Sequence, residues 1–183
     1  MSYSDQIAKF KKVLINEFEM TNLGNILIYC KSAITPTEIN HKLDSDVEGD
    51  DIDATTFKQL VGSLRYPCNI RHVIYYEVGV VSRFMNKIKW SHYQDVVRIL
   101  RYIEGTLKYG VLLPYDVESD SELICYSDSD WCGYIIERRS TSGYFFKYLG
   151  GPTSWCSKKQ PVVALLTCED EYIAGALSAC QTV

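Results

Sequence analysis

The sequence predicts an α+β chain: a helical segment, followed by three antiparallel strands and one helix. Three observations predict it. Apolar residues recur at helical spacing from about residue 55 to residue 103. From about Val111 the period changes to two, or to short apolar runs. Between these patterns lies a polar stretch with Pro114, Asp116, Glu118 and Asp120. The expected organisation is therefore residues 1–113, a linker over 114–121, and residues 122–183.

At the start of the chain, Ser4 or Asp5 caps an expected helix running to about Glu19. Ile7, Phe10, Leu14 and Phe18 form one stripe on it, and Asn22-Leu23-Gly24 ends it. Ile26 to Tyr29 reads as a short buried strand. Residues 31 to 54 read as a loop with Pro36 and an acidic run from Asp44 to Asp53. Thr55 to Tyr66 is an expected helix with Phe57, Leu60, Val61 and Leu64 inward. Val73 to Met85 is expected as another. A third starts at Ser91, with Gln94 completing a capping box. Tyr93, Val96, Val97, Leu100 and Ile103 form its apolar face, and Gly105 stops it.

In the second part Glu122 to Tyr126, Gly143 to Leu149 and Thr153 to Ser157 read as strands. Val162 to Leu166 is a candidate continuation beyond Pro161, and a last helix starts near Thr167. Ser142-Gly143 and Gly150-Gly151 read as turns.

Composition narrows the function classes. The chain has 183 residues, enough for one domain or two small ones. Its net charge of −4 gives no overall basic field, so nucleic-acid binding would need a local patch. The seven cysteines are odd in number and none forms a C-x-x-C pair, which argues against zinc. They read as reduced and mostly buried, without disulfide partners. An intracellular protein, cytoplasmic or nuclear and not secreted, is expected. No signal peptide and no run of about 18 apolar residues is visible. No phosphate-binding glycine loop occurs either.

Asp128 follows an apolar strand in Cys125-Tyr-Ser-Asp-Ser-Asp-Trp-Cys-Gly133. Continued extension would put Asp128 and Asp130 on one face. Glu169 and Glu171 open the last helix. A strand-end aspartate facing a helical glutamate is one way to gather magnesium, which can activate water for phosphodiester cleavage. The alternative is that these acids are solvated or cap the helix. Arg138, Arg139, Lys147, Lys158 and Lys159 are candidates for phosphate contacts, or are scattered surface charge. Asp44-x-Asp46-x-Glu48-Gly49 imitates a calcium loop, but Thr55 stands where a bidentate glutamate is needed. Arg98-Ile-Leu-Arg101 matches the R-x-L-R tetrapeptide of secreted oomycete effectors; within an amphipathic helix the match reads as chance.

Several stretches together resemble copia-type retrotransposon Pol polyproteins. Arg138-Arg139-Ser140-Thr141-Ser142-Gly143-Tyr144 resembles a signature of their ribonuclease H domains. Tyr126 to Trp131, Ser154 to Pro161 and Glu169 to Tyr172 do so in the same order. Val61 to Leu64, Ser82 to Met85 and Leu100 to Leu107 resemble the segment after the polymerase palm, and Phe18 to Gly24 the palm's end. The wording is closest to plant elements.

The resemblance implies the end of a reverse transcriptase palm and its connection over 1–113. Over 122–183 it implies the N-terminal half of a ribonuclease H-like domain. It implies Mg2+ as cofactor and an RNA–DNA hybrid as partner, held through backbone shape and 2′-hydroxyls. Asp128 matches the first-strand aspartate and Glu171 the helical glutamate, each a catalytic and metal position, with Glu169 the fallback. Arg138, Arg139, Lys158 and Lys159 become nucleic-acid-binding candidates. The polymerase's Tyr-x-Asp-Asp loop is expected before residue 1, and the nuclease's later carboxylates after residue 183. Catalysis is therefore expected to be incomplete. The alternative is a co-opted module that binds nucleic acid or protein without catalysis.

Overall fold

The computed structural model describes residues 33–37, 53–112, 122–134 and 138–182. The expected first helix over Ser4 to Glu19, the strand Ile26 to Tyr29, most of the acidic run and the linker 114–121 lie outside the described residues. So does Cys30. The chain divides into two compact units, Met1–Gly110 and Val111–Val183.

The first unit is built on three α-helices: α1 (Ala54–Cys68), α2 (Tyr75–Val81) and α3 (Trp90–Gly105). Asp53 caps α1, accepting the Thr56 amide at 2.8 Å and the Thr55 amide at 3.3 Å. Pro67 sits in the last turn, and the helix ends at Cys68. Phe57, Leu60, Val61 and Leu64 are buried as their spacing predicts, and they meet Ile74, Val78, Val96 and Leu100 in one core.

The expected helix from Val73 to Met85 is instead α2 flanked by 3-10 turns at His72–Ile74 and Ser82–Phe84. Val78, Val80 and Val81 are β-branched and hold a helix weakly. The Ser82 hydroxyl also donates to the Gly79 carbonyl at 2.8 Å, a bond that bends helices. In α3 the cap is Lys89 rather than Ser91. The Lys89 amide donates to His92 Nδ1 at 3.1 Å, and Ser91 is buried inside the helix. Arg71 ties the unit's end together. Its guanidinium donates to the Thr106 hydroxyl and carbonyl, both at 2.6 Å, and to the Tyr109 carbonyl at 2.9 Å.

The second unit is a three-stranded antiparallel sheet, β1 (Leu123–Tyr134), β2 (Arg139–Tyr148) and β3 (Gly151–Lys159), in the order β1-β2-β3. It is followed by α4 (Thr167–Ala179). All three strands are longer than their apolar runs, because ladder hydrogen bonds hold polar residues extended. Ser142-Gly143 lies inside β2, not in a turn, flanked by Thr141, Tyr144 and Phe145. Leu149 and Gly150 both have positive φ, 50° and 80°, and form the two-residue hairpin turn into β3. Val162 to Leu166 does not continue the sheet; it runs as bends with Val162, Val163, Leu165 and Leu166 exposed.

The cysteines also differ from expectation. Of those described all are free, but only Cys68 is buried; Cys125, Cys168 and Cys180 are exposed. No described helix is long and apolar enough to cross a membrane.

Candidate functional site

The strand register decides where the candidate acids point. Asp128 is the Cα partner of Gly143 in the middle of β1, and it is exposed. Its neighbour Ser129 donates its hydroxyl to Asp170 Oδ2 on α4 at 2.7 Å. Side chains alternate along a strand, so Asp128 projects from the face away from α4. Asp130 lies on the same side as Asp128, as extension predicts, but it is taken into a bulge. Its Oδ1 accepts the Thr141 amide. A Cβ on Gly133 would come within 2.3 Å of Asp130 Oδ2, so a side chain there would push the Asp130 carboxylate aside. Cys132, with φ of 55°, carries the backbone distortion.

On α4 the inward residues are Asp170, Ala174 and Ser178, spaced one turn apart. Glu171 is about 100° further round the helix and is exposed. Glu169 turns back, its Oε2 accepting the Leu165 amide at 2.7 Å, which is a capping role. The structure thus does not bring Asp128 and Glu171 together. Among the described residues no group of three His, Cys, Asp or Glu is arranged to hold a metal ion. Magnesium requires near-octahedral oxygen ligation, and two exposed carboxylates, one projecting from the sheet face opposite α4 and one carried by α4 itself, are a poor fit to it.

The group that the sheet and helix do bring together is Asp170, Gln160, Ser129 and Ser142. Gln160 Nε2 donates to Asp170 Oδ1 at 2.5 Å and to Ser142 Oγ at 2.8 Å. Asp170 and Gln160 are each 1% exposed. Buried polar groups of this kind are stable only when paired. Gln160 Oε1 is buried without a hydrogen-bond partner. Reading the sequence for carboxylates selects Glu169 and Glu171 and passes over Asp170. Ala174 and Ser178 at i+4 and i+8 are the signal for the inward face.

The basic candidates collect at one end of the sheet. Arg138 is an exposed turn residue with φ of 50°, and Arg139 starts β2. Lys158 and Lys159 end β3 opposite Ser142 and Thr141. The register puts Lys158 on the α4 side and Lys159 on the Asp128 side. Lys147 stands apart, its ammonium 5.6 Å from the Tyr126 ring centre. Lys158 also borders a groove of about 200 Å³ between α4 and the sheet, with Tyr144, Cys156, Ala174 and Leu177. The Tyr144 hydroxyl donates to Gln181 Oε1 at 3.0 Å, and burial holds its phenol above the ordinary range. In the first unit, Arg98 to Arg101 form one turn of α3, with Ile99 and Leu100 fully buried.

Comparison with known proteins finds retroelement sequences. The chain is 45% identical over 121 residues to the retrovirus-related Pol polyprotein from transposon TNT 1-94 of Nicotiana tabacum. This covers 65% of the chain and 9% of that protein. It is 38% identical over 147 residues to the corresponding polyprotein from transposon RE1 of Arabidopsis thaliana, covering 80% of the chain and 10% of that protein. It is also 48% identical over 97 residues to the secreted RxLR effector protein 161 of Plasmopara viticola, covering 53% of the chain and 67% of that protein. The chain therefore spans about a tenth of the length of the Pol polyproteins it matches. No protein-family model and no solved structure matches it.

Proposed function

The chain belongs to the copia-type retrotransposon Pol polyprotein family, and from that premise we propose a two-part assignment. Residues 1–113 are the palm end and connection of a reverse transcriptase. Residues 122–183 are the N-terminal half of a ribonuclease H-like domain, with 114–121 as linker. The observation that carries the reading is the run of elements bearing the resembling motifs. Asp128 stands in β1, Arg139 to Tyr144 in β2, Ser154 to Lys159 in β3, and Glu169 to Tyr172 opens α4. The setting proposed is intracellular, in cytoplasm or nucleus.

In this reading the chain by itself is catalytically incomplete. What supports this is that Asp128 projects from the sheet face away from α4, the helix that carries Glu171, a poor arrangement for two carboxylates to share one ion. Incubation with a labelled RNA–DNA hybrid and magnesium is expected to release no cleaved RNA. Cleavage that disappears in Asp128→Asn would overturn the incompleteness and uphold Asp128 as catalytic.

The placement of Arg138, Arg139, Lys158 and Lys159 at one end of the sheet, with Lys158 and Lys159 on opposite faces, supports a second reading, a binding module for an RNA–DNA hybrid or other nucleic acid. A gel-shift assay should then show binding that weakens with salt and is lost when Arg138, Arg139 and Lys158 become alanine. Binding insensitive to both would remove this reading. The tetrapeptide's two central residues are core side chains of α3.

A further inference from the structure

We infer that the outer edge of β1 accepts an added strand, an extended peptide segment of a partner that carries a basic residue opposite Asp128. β1 lies at one edge of the sheet. From Leu123 to Asp130 it pairs with β2 without interruption. In an antiparallel pair, alternate residues turn their amides and carbonyls away from the partner strand. Among the described residues, Leu123 to Ser129 make no backbone hydrogen bond outside that ladder. Every residue from Glu122 to Asp128 is exposed, the large apolar Leu123, Ile124 and Tyr126 included. A long exposed edge of this kind is a template for strand pairing. The opposite edge is guarded. There β3 carries Pro152, which has no amide to donate, and the basic Lys158 and Lys159. Glu122 to Tyr134 contains no proline and no basic residue.

Charge selects the occupant. Alternation places Ile124, Tyr126, Asp128 and Asp130 on the face away from α4. Asp130 is engaged by the Thr141 amide, which leaves Asp128 as the exposed acid of that face of β1. Toward the other end, Lys147 of β2 stands opposite Ile124 and 5.6 Å from the Tyr126 ring centre. A residue added opposite Asp128 therefore gains from a lysine or arginine side chain. Residues added opposite Ile124 and Tyr126 gain from apolar ones. A second copy of β1 would bring acids and no base to this edge, and like charges facing each other across strands oppose pairing. The partner that fits is a strand whose alternate side chains run from basic to apolar. Its backbone supplies the hydrogen bonds, and these side chains set the specificity.

The test is an NMR titration of the full chain with a synthetic peptide in which threonine alternates with two lysines and then two valines. It is made in both sequence orders, because an added strand can run either way. Amides within Leu123 to Ser129 should shift with saturation for at least one order. Glutamate in place of lysine should weaken binding by about tenfold at low salt. N-methylation of alternate peptide amides should abolish the shifts in one frame and spare them in the other, since only alternate donors face the edge. Asp128→Lys should lose the preference for lysine. Absence of a saturable shift in β1, equal binding of the lysine and glutamate peptides, or binding untouched by N-methylation in either frame would overturn the proposal. The same amides shifting as the chain alone is concentrated would assign the edge to a second copy and overturn it too.

Discussion

The two units are stabilised by different chemistry. In the first, most buried positions are apolar, Phe57, Leu60, Val61, Leu64, Ile74, Ile99, Leu100 and Ile103 among them, with the polar Arg71, Ser91 and His92 beside them. In the second, Phe146, Ala164 and Ala174 share the interior with Ser140, Thr141, Ser142, Gln160, Asp170 and Ser178. The helical unit is fixed by volume and shape, and so tolerates few changes of size. The sheet unit is fixed by its ladder and by a hydrogen-bonded cluster, and so depends on pairing. The acid that this second unit buries is spent on structure. The acids matching the family's catalytic positions are left outside.

That contrast can be broken by substitution. The largest effect is expected at Leu100→Ala, which empties a fully buried site and should lower the stability of the first unit by about 2–5 kcal/mol. Denaturant unfolding followed by Trp90 fluorescence, in a chain with Trp131 and Trp155 replaced by phenylalanine, measures it. A loss under 1 kcal/mol would mean that this core is not close-packed. Next is Asp170→Ala, which removes the carboxylate acceptor of Gln160 Nε2, leaving it Ser142 Oγ, and the acceptor of the Ser129 hydroxyl, and should cost the second unit about 1–3 kcal/mol. Replacing Asp170 and Gln160 together by leucine should cost less than Asp170→Ala, since no buried amide is then left without its partner. A double variant worse than the single would show that the cluster does more than satisfy itself.

The smallest effect is at the surface, at Asp53→Ala. The Thr56 hydroxyl, then the Thr56 and Thr55 amides, hold the Asp53 carboxyl below its usual value of 3.8. Its contribution is therefore present above that value and is lost as pH falls through the lowered one. Thermal melts of native chain and Asp53→Ala should differ near neutrality and converge in strong acid. Curves that stay apart in acid would contradict the cap.

Legibility from the sequence follows the same division. The faces of α1 and α3 were readable because apolar side chains at helical spacing leave one solution. The broken α2 was not, because its valines satisfy the pattern while weakening the helix. The start of α3 precedes Ser91 because His92 accepts the Lys89 amide, the bond that a glutamate or glutamine at that position usually takes. β1 runs past Tyr126 for a reason outside its own residues: Phe145 to Thr141 of β2 pair with Tyr126 to Asp130. Asp128 is singled out by its motif alone and lies in β1. Asp170 was passed over, since α4 has few large apolar residues to mark which side faces the sheet.

The most direct test of the central claim, that Asp128 and Glu171 do not form one metal site, is a magnesium titration of the full chain followed by backbone NMR. The account predicts that the amides around Asp128 and Glu171 shift weakly, independently and without saturation at about millimolar metal. Saturable shifts at both positions, with a single shared dissociation constant and lost in Asp128→Asn, would contradict it.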